Sequence, residues 1–277
     1  MPADFGPSAL TVGNFDGLHA GHRRILQRVA EIARTNGWNP LMLTFDPHPT
    51  RVVAPERAPR LMTTPLDRCR LMAAEGIRQA LILPFSPEIA QLSPREFAKR
   101  ILVDKLGARA VVVGDNFRFG HKQAGDTGLL AELGGQLGFT TEVIPAVTIR
   151  GSVVSSSEIR KLVEAGKVSH AGRLLERPFS LQGPVVRGRG VGSKQTVPTL
   201  NMTPETELLP MAGVYVTRTH DVDTRRHWPS VTNVGVRPTF GDGGLTIETF
   251  LLAPLEGESP ASIRVEFLRH LREERKF

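Results

Sequence analysis

Apolar residues in the first part of the chain follow two alternating patterns, short continuous runs and longer runs with helical periodicity. Short apolar runs are typical of buried strands, and runs with a period near 3.6 are typical of amphipathic helices. Strands are predicted at Ala9–Val12, Leu41–Phe45, Ala80–Leu83, Ala110–Val113 and Phe139–Ile144. Helices are predicted at His22–Asn36, Thr64–Gly76, Ser93–Leu106, Thr127–Leu137, Ser157–Ala165 and Ser169–Glu176. This alternation favours a Rossmann-like α/β domain with a parallel sheet.

The pattern changes near residues 176–182, where short strand-like segments separated by Gly- and Pro-rich connections begin. These strands are predicted at Leu181–Arg187, Gly213–Thr217, Val231–Val236, Leu245–Leu252 and Ile263–Phe267. Only the stretch Phe267–Lys276 is predicted to be helical. The pattern favours a small antiparallel barrel or sandwich. We therefore expect a first domain over residues 1–178 and a smaller second domain over residues 179–277.

Composition narrows the class of protein. With 40% apolar and 23% charged residues, the chain has the balance of a globular protein. No apolar stretch approaches the roughly 20 residues of a membrane span, and the N-terminus lacks a signal-peptide pattern, so we expect a cytoplasmic protein. The single cysteine, Cys69, excludes an internal disulfide and a cysteine metal cluster. The net charge of +7 suits anionic partners such as nucleotides, flavin phosphates or nucleic acid.

The strongest chemical signal is the segment GNFDGLHAGHRRIL, in which His19 and His22 lie at the start of a predicted helix. A helix N-terminus presents unpaired N–H groups and a positive dipole, and it binds phosphate readily. Gly13, Gly17 and Gly21 would let the backbone approach a phosphate closely. Because the segment follows the first strand, it is expected at the edge where open parallel sheets bind ligands. The pattern indicates a phosphate-stabilising corner.

Two other interpretations of the histidines remain open at this point. Either ring could be a structural residue, which is the usual role of an isolated histidine. The pair could also bind zinc, although a catalytic zinc site uses three protein ligands and no third is evident nearby.

Further motifs accompany this segment along nearly the whole chain. They are GNFDGLHAGH (13–22), TFDPHP (44–49), VVVGDNFRFG (111–120), SSSEIR (155–160), VPTLN (197–201), NVGVRPTF (233–240), IETFLL (247–252) and LREERKF (271–277). The first motif resembles the nucleotidyltransferase superfamily, and the set resembles the bacterial bifunctional riboflavin kinase/FAD synthetase family. The resemblance implies a riboflavin kinase-like barrel, with ATP-dependent phosphorylation of riboflavin to FMN and adenylylation of FMN to FAD. It also implies Mg²⁺ as cofactor.

For adenylyl transfer, the resemblance implies that His19 and His22 stabilise charge on the α-phosphate and that Arg160 accompanies the leaving pyrophosphate. The FMN phosphate is already ionised, so holding two anions in line matters more than a strong base. The residues assigned to the nucleotide are Gly13, Asn14, Phe15, Gly21, Ser155, Ser156 and Ser157. An ordinary serine-capped helix is the alternative for the serine motif.

The flavin side of this first site is assigned, on the resemblance, to residues that follow two other strands: Asp46, Asn116, Phe117 and Phe119. Asp46 is also a candidate to help hold magnesium. Alternatives remain here too, because both phenylalanines could belong to the core and the Asp-Pro-His-Pro segment could be a conformational turn.

For the kinase site, a glycine-rich loop with Gly188, Gly190 and Gly192 is expected to surround phosphates with its N–H groups. A solvated basic loop is the alternative. The resemblance assigns Thr199 and Asn201 to magnesium and nucleotide, and both offer the oxygen ligands that magnesium prefers. It assigns the role of general base to Glu248, since the ribityl hydroxyl has a high pKa.

The chain departs from the family in the second domain. The family usually has His where Phe250 stands, a different segment where Ala253–Gly257 stands, and a further helix beyond Phe277. We therefore expect the second domain to lack that final helix, and an FAD synthetase with a degenerate kinase domain is an alternative function. A flavin-sensing or nucleic-acid-binding protein is another alternative.

Only 6% of residues are aromatic and no recognition motif is present, so the expected partners are ATP, riboflavin and FMN, without nucleic acid or membrane. The sequence does not determine self-association.

Overall fold

The computed structural model describes residues 5–186, 198–224, 226–236 and 245–273. Contacts group the chain into two compact units. The first comprises Met1–Pro59 and Thr63–Val154, and the second comprises Arg60–Met62 and Ser155–Phe277. The segment from residue 155 to 178, which the pattern assigned to the first domain, thus has its contacts in the second unit. The predicted boundary at 178/179 concerns which part of the chain folds and works by itself, and it stays a prediction.

The first unit contains the predicted parallel sheet. Its five strands are β1 Ser8–Val12, β2 Asn39–Phe45, β3 Gln79–Leu83, β4 Ala108–Gly114 and β5 Thr140–Ile144. Their spatial order is β3-β2-β1-β4-β5 and all neighbours are parallel, so β1 is the central strand. Strands of a parallel sheet are buried on both faces, which explains their continuous apolar character in the sequence.

Helices connect these strands. They are α1 Ala20–Asn36, α2 Pro49–Val53, α3 Pro65–Ala74, α4 Pro87–Gln91, α5 Pro94–Glu96 and α6 Thr127–Leu137. A π-helix, Phe97–Val103, continues α5, and 3-10 turns lie at Pro55–Arg57 and His121–Gln123. A hairpin of β6 Thr148–Ile149 and β7 Ser152–Val153 completes the unit. The predicted capping box at Ser93 and Glu96 is present, whereas α2, α4 and the hairpin are too short to show a periodic pattern.

Alternate residues of the strands enter two apolar clusters, one on each face of the sheet. Leu10 and Val12 belong to the cluster that includes Leu102 and Leu130. Ala9 belongs to the opposite cluster, which includes Leu26 of α1. Because β1, β2 and β4 are parallel neighbours, their C-terminal ends lie along one edge of the sheet.

In its described residues, the second unit contains two helices and a closed barrel. The helices are α7 Ser156–Glu164 and α8 Val168–Leu175, and α8 packs on β8 and β13 of the barrel. The strands are β8 Phe179–Val186, β9 Thr199–Met202, β10 Gly213–Asp221, β11 His227–Val236, β12 Leu245–Leu251 and β13 Ser262–Arg272. They close in the order β10-β11-β12-β9-β8-β13, with antiparallel neighbours. The barrel prediction is confirmed, and β9 is an additional strand.

The predicted helix Phe267–Lys276 is wrong as far as Arg272. Strand β13 continues through this segment and pairs with β10, up to the pair Val214–Arg272. The charged side chains of the segment favour a helix only when no partner strand is available. Here β10 supplies a long hydrogen-bonding edge, so tertiary pairing overrides local preference.

Within the described ranges, no helix combines the length and the apolar character that crossing a bilayer requires.

Candidate active sites

The turn from β1 into α1 builds both histidines into the start of the helix. His19 is the N-cap, and its Nδ1 accepts a hydrogen bond of 3.3 Å from the main-chain N–H of His22. The two imidazole rings are stacked, with centroids 3.6 Å apart and planes 15° apart. Because Nδ1 of His19 accepts this bond, the neutral ring carries its proton on Nε2 and presents a donor there. The pair is thus an ordered element rather than two independent side chains.

Main-chain amides of the first turn of α1 add to this corner. The first main-chain hydrogen bond of the helix runs from the N–H of Arg23 to the carbonyl of His19, 3.0 Å apart. The amides of Ala20 and Gly21 precede it and take no part in the helical ladder. Such amides, together with the helix dipole, favour an anion at this end.

Gly13 and Gly21, which are predicted to let the backbone approach a phosphate, also have a packing role inside the turn. A Cβ at Gly21 would lie 3.2 Å from Cε1 of His19, and a Cβ at Gly13 would lie 3.2 Å from the ring of Phe15. Phe15 is buried and has a left-handed backbone with φ of 50°. Its ring meets that of His22 edge to face, with centroids 5.0 Å apart. The glycines therefore make room for the rings that shape the turn, and their contact with phosphate stays a prediction.

A buried carboxylate anchors the same turn, and sequence reasoning missed it. Asp16 accepts hydrogen bonds from the N–H of Thr63 at 3.0 Å and from its hydroxyl at 2.9 Å. The hydroxyl oxygen of Thr63 in turn accepts a bond of 3.1 Å from the N–H of Gly17. The sequence signal for this anchor is the dipeptide Asp16-Gly17, which is typical of a turn. In the structure Gly17 has a left-handed backbone with φ of 80°.

Three of the predicted ligand residues follow the C-terminal ends of adjacent strands. Asn14 follows β1, Asp46 follows β2 and Asn116 follows β4, so they lie along the same edge of the sheet. Asp46 and Asn116 are exposed. The amide nitrogen of Asn14 lies 3.0 Å from Nε2 of His48, the N-cap residue of α2. The structure thus links the loops after β1 and β2, at the edge where open sheets bind ligands.

Arg68 of α3 is a further residue of this edge that sequence reasoning missed. Its side chain is buried, with 4% exposure. Its Nη1 donates to the carbonyl of Asn14, the hydroxyl of Thr44 and the carbonyl of Phe45. In the sequence it looked like one of many scattered arginines, and only the fold shows its burial.

The aromatic residues after β4 have different surroundings. The rings of Phe117 and Phe119 are stacked with centroids 5.5 Å apart, and Phe119 also contacts Phe97 at 6.0 Å. Phe119 is a member of the buried core, and Phe117 packs against it. These contacts agree with the core alternative, and a flavin contact of either ring stays a prediction.

The serine motif lies in the second unit. Ser155 is the N-cap of α7, and its hydroxyl accepts a bond of 3.2 Å from the N–H of Glu158. Nε of Arg160 donates to the carbonyl of Arg60 at 2.9 Å. The capping alternative is therefore present, while a phosphate role for Ser155, Ser156, Ser157 and Arg160 stays a prediction.

The candidate kinase residues meet on the barrel. Glu248 of β12 stands directly opposite Asn201 of β9 on one side and Asn233 of β11 on the other. Directly opposed residues of antiparallel strands project to the same face. Ile247 and Thr249 are buried while Glu248 is half-buried, so this face is the outer one. The register thus brings an amide, a carboxylate and a second amide into one row.

Thr199 lies in the next row of the same face. It stands opposite Phe250, which in turn stands opposite Val231. The position where the family resemblance expects His thus carries an apolar ring beside the predicted magnesium ligand. The imidazole that the resemblance implies at this point is replaced by a group that neither donates a hydrogen bond nor takes up a proton.

Hydroxyl groups on the inner face hold these strands together. Thr217 bonds to Ser230 and to Thr232, each at 2.8 Å, and Thr232 bonds to Thr249 at 3.0 Å. All four side chains are buried. Thr249 and Thr232 are the sequence neighbours of Glu248 and Asn233, so this network fixes the register of the two strands that carry them.

The predicted glycines Gly188, Gly190 and Gly192 lie outside the described residues. Within the described ranges, no group of three or more His, Cys, Asp or Glu side chains is arranged to hold a metal ion. Thr199 and Asn201, two residues apart in β9, remain as the candidate oxygen ligands of magnesium.

The first unit is an open parallel sheet with a histidine-capped helix at its C-terminal edge, and the second contains a closed antiparallel barrel. Together they define a class of protein in which a nucleotidyltransferase-type unit is followed by a kinase-type barrel. Family models agree with this division. The model for FAD synthetase matches residues 2–158, and the model for riboflavin kinase matches residues 175–277.

Relatives match across almost the whole chain. A bifunctional riboflavin kinase/FMN adenylyltransferase of Pseudomonas fluorescens is 37% identical over 268 residues, covering 96% of this chain and 85% of the relative. The enzyme of the same name from Escherichia coli (strain K12) is 31% identical, covering 97% and 85%. A crystal structure described as a macrolide-efflux protein from Streptococcus pneumoniae is similar with a TM-score of 0.88 and 25% identity, covering 100% of this chain and 90% of that one. The chain belongs to the bifunctional riboflavin kinase/FMN adenylyltransferase family.

Proposed function

We propose that the chain catalyses two consecutive reactions, the phosphorylation of riboflavin by ATP to FMN and the adenylylation of FMN by a second ATP to FAD and pyrophosphate. The observation that carries this proposal is the presence of two separate sets of suitable groups. One set is the histidine-capped helix at the sheet edge, and the other is the row containing Asn201 and Glu248 on the barrel.

In adenylyl transfer, an oxygen of the FMN phosphate attacks the α-phosphorus of ATP and pyrophosphate leaves. The nucleophile is already ionised, so catalysis consists of positioning and of stabilising the negative charge that develops. The Nε2–H of His19, the ring of His22 and the first amides of α1 are the proposed donors to the phosphates. Ser155, Ser156, Ser157 and Arg160 are proposed to bind the polyphosphate, on the family resemblance.

In the kinase reaction, the ribityl hydroxyl attacks the γ-phosphorus and must lose its proton. Glu248 is the proposed acceptor of that proton, because a carboxylate on the open face of the barrel is the group of suitable basicity in the row. Thr199 and Asn201 would hold Mg²⁺ together with the nucleotide. The ion, when bound, neutralises charge on the transferred phosphoryl group.

Chromatographic separation of flavins after incubation of the purified chain with ATP, Mg²⁺ and either riboflavin or FMN tests the proposal. We expect FMN and FAD from riboflavin, FAD from FMN, and no conversion when EDTA replaces Mg²⁺. FAD from FMN without any conversion of riboflavin would indicate a degenerate kinase unit, for which the apolar ring of Phe250 beside Thr199 is the specific observation. No conversion of either flavin would contradict the proposal and favour a binding protein.

A further inference from the structure

Arg68 is a buried cation for which the described residues supply no carboxylate partner. Arginine is almost never fully buried unless it is paired, because removing its charge from water is energetically costly. Yet Arg68 is 4% exposed, and it forms no ion pair with any residue that the structure describes. Its Nε is also buried, and no acceptor in the described part of the chain contacts it. A charge retained at this cost calls for a reason beyond packing.

The side-chain hydrogen bonds that Arg68 makes with described residues all go to the candidate ligand-binding edge of the sheet. Nη1 lies 3.1 Å from the carbonyl oxygen of Asn14, 3.0 Å from the hydroxyl of Thr44 and 3.3 Å from the carbonyl oxygen of Phe45. The hydroxyl of Thr44 also donates to the carbonyl of Asn14 at 3.2 Å. The guanidinium therefore links Asn14, two residues beyond the end of β1, to Thr44 and Phe45 at the end of β2.

These acceptors lead directly into both candidate ligand loops. Asn14 begins the segment that ends at the N-cap His19, and Phe45 precedes Asp46 and His48. The contact between Asn14 and His48 closes the same connection on the far side. A shift of Arg68 would thus change the position of both loops together, and displacement of reacting groups by about 1 Å can lower a rate by about 10²-fold.

The position of α3 explains why this side chain points inward. The helix begins with a capping box between Thr64 and Asp67, which fixes its first turn. Arg68 and Met72 are its two buried residues, four positions apart on one face. Its neighbour Arg70 is 53% exposed and lies near Asp67, so the helix offers a matched arginine that makes none of these contacts.

We propose that Arg68 is a positioning residue for adenylyl transfer, which holds the loops after β1 and β2 in one arrangement and adds a positive charge to the edge where the polyphosphate of ATP is proposed to bind. The charge acts with the first turn of α1, which attracts an anion to the same edge. This inference rests on the proposed FAD synthetase activity.

The test compares the full chain with the variants Arg68→Lys, Arg68→Met and the control Arg70→Met. For each protein, kcat and KM for ATP are measured for FAD formation from FMN, together with FMN formation from riboflavin and the thermal unfolding midpoint. Arg68→Met is expected to lower kcat/KM for ATP by about 10²-fold. Arg68→Lys, which keeps the charge and loses the planar fork, is expected to keep KM nearer the wild-type value and to lose mainly kcat. Arg70→Met is expected to match the wild type.

Several outcomes would overturn the inference. Wild-type kcat/KM in Arg68→Met would remove any role for the residue. Equal losses in Arg68→Lys and Arg68→Met, with the same rise in KM for ATP, would remove the role of the charge. If Arg68→Met does not fold, an unchanged kcat in Arg68→Lys would contradict the positioning role. A wild-type chain that makes no FAD would instead contradict the proposed function itself, and FMN formation reports on the second unit in every variant.

Discussion

His19 combines a structural and a chemical task in one side chain. Its Nδ1 caps α1, while its Nε2–H is a proposed donor to the phosphates. Asparagine is also a favourable N-cap, so His19→Asn should keep the helix start and remove the imidazole donor. We expect FAD formation from FMN to fall by about 10²–10³-fold, as for other lost transition-state donors, while the helix start is retained. His19→Ala, which lacks a cap, should in addition lose about 1 kcal/mol of stability. Full FAD synthesis by His19→Asn would limit His19 to capping.

At the residue scale, the sequence suggests candidate positions, and it does not predict the environment of each one. The histidine pair, Asn14 and Glu248 could be selected because each follows or lies in a predictable strand and belongs to a motif. The burial of Asp16 and Arg68 could not be predicted, since it arises from contacts with residues far away in sequence, such as Thr63 and Asn14. A charged residue in a sequence gives no sign of whether it will be solvated or enclosed.

Strand β10 carries the chain's single tyrosine, which gives the barrel a spectroscopic reporter. Tyr215 is fully buried, and burial raises its pKa to about 12. Its hydroxyl donates to the carbonyl of Met211. Because the folded pKa lies above the ordinary value of about 10, the protonated form stabilises the fold. That stability is complete below about pH 10 and is lost as pH rises through about 12.

A pH titration followed by tyrosinate absorbance tests directly whether the pKa of Tyr215 is raised. The native chain should titrate with a midpoint near 12, and the chain in urea should titrate near 10. Urea unfolding curves give the free energy of unfolding at each pH. Between these two pH values the native sequence should lose part of that free energy as Tyr215 ionises, and Tyr215→Phe should lack this part of the loss. A native midpoint equal to that in urea would show that the ring is not enclosed as described.

At the element scale, local signals predicted the elements of the first unit well and the barrel less well. Capping residues and stop glycines mark α1, α3 and α6, so their ends could be found from the sequence. Strand β9 has four residues beside a glycine-rich loop, and its existence depends on pairing with β12. The last part of β13 was mistaken for a helix for the same reason, because only the partner strand β10 determines its conformation.

The whole molecule is predicted to be separable into two working parts. A fragment ending near Pro178 contains the complete sheet and the serine motif, so we expect it to convert FMN to FAD and not to phosphorylate riboflavin. A fragment ending at Val154 retains the sheet and loses Ser155–Arg160, and we expect it to fold without making FAD. Because Leu174 and Leu175 of α8 are buried in the second unit, the longer fragment should be the less soluble one. FAD synthesis by the shorter fragment would exclude the serine motif from the reaction, and an inactive longer fragment would contradict the 178/179 boundary.

The central claim is that one chain carries two chemically independent sites, and complementation between two inactive variants tests it most directly. His19→Ala/His22→Ala should form FMN but no FAD. Glu248→Gln, which keeps size and removes basicity, should lose about 10²–10⁴-fold in riboflavin phosphorylation while still converting supplied FMN. Each variant alone is then expected to make almost no FAD from riboflavin and ATP, whereas their mixture should restore FAD synthesis through FMN released into solution. Two folded variants that each lose both activities, with a mixture that makes no FAD, would contradict the account.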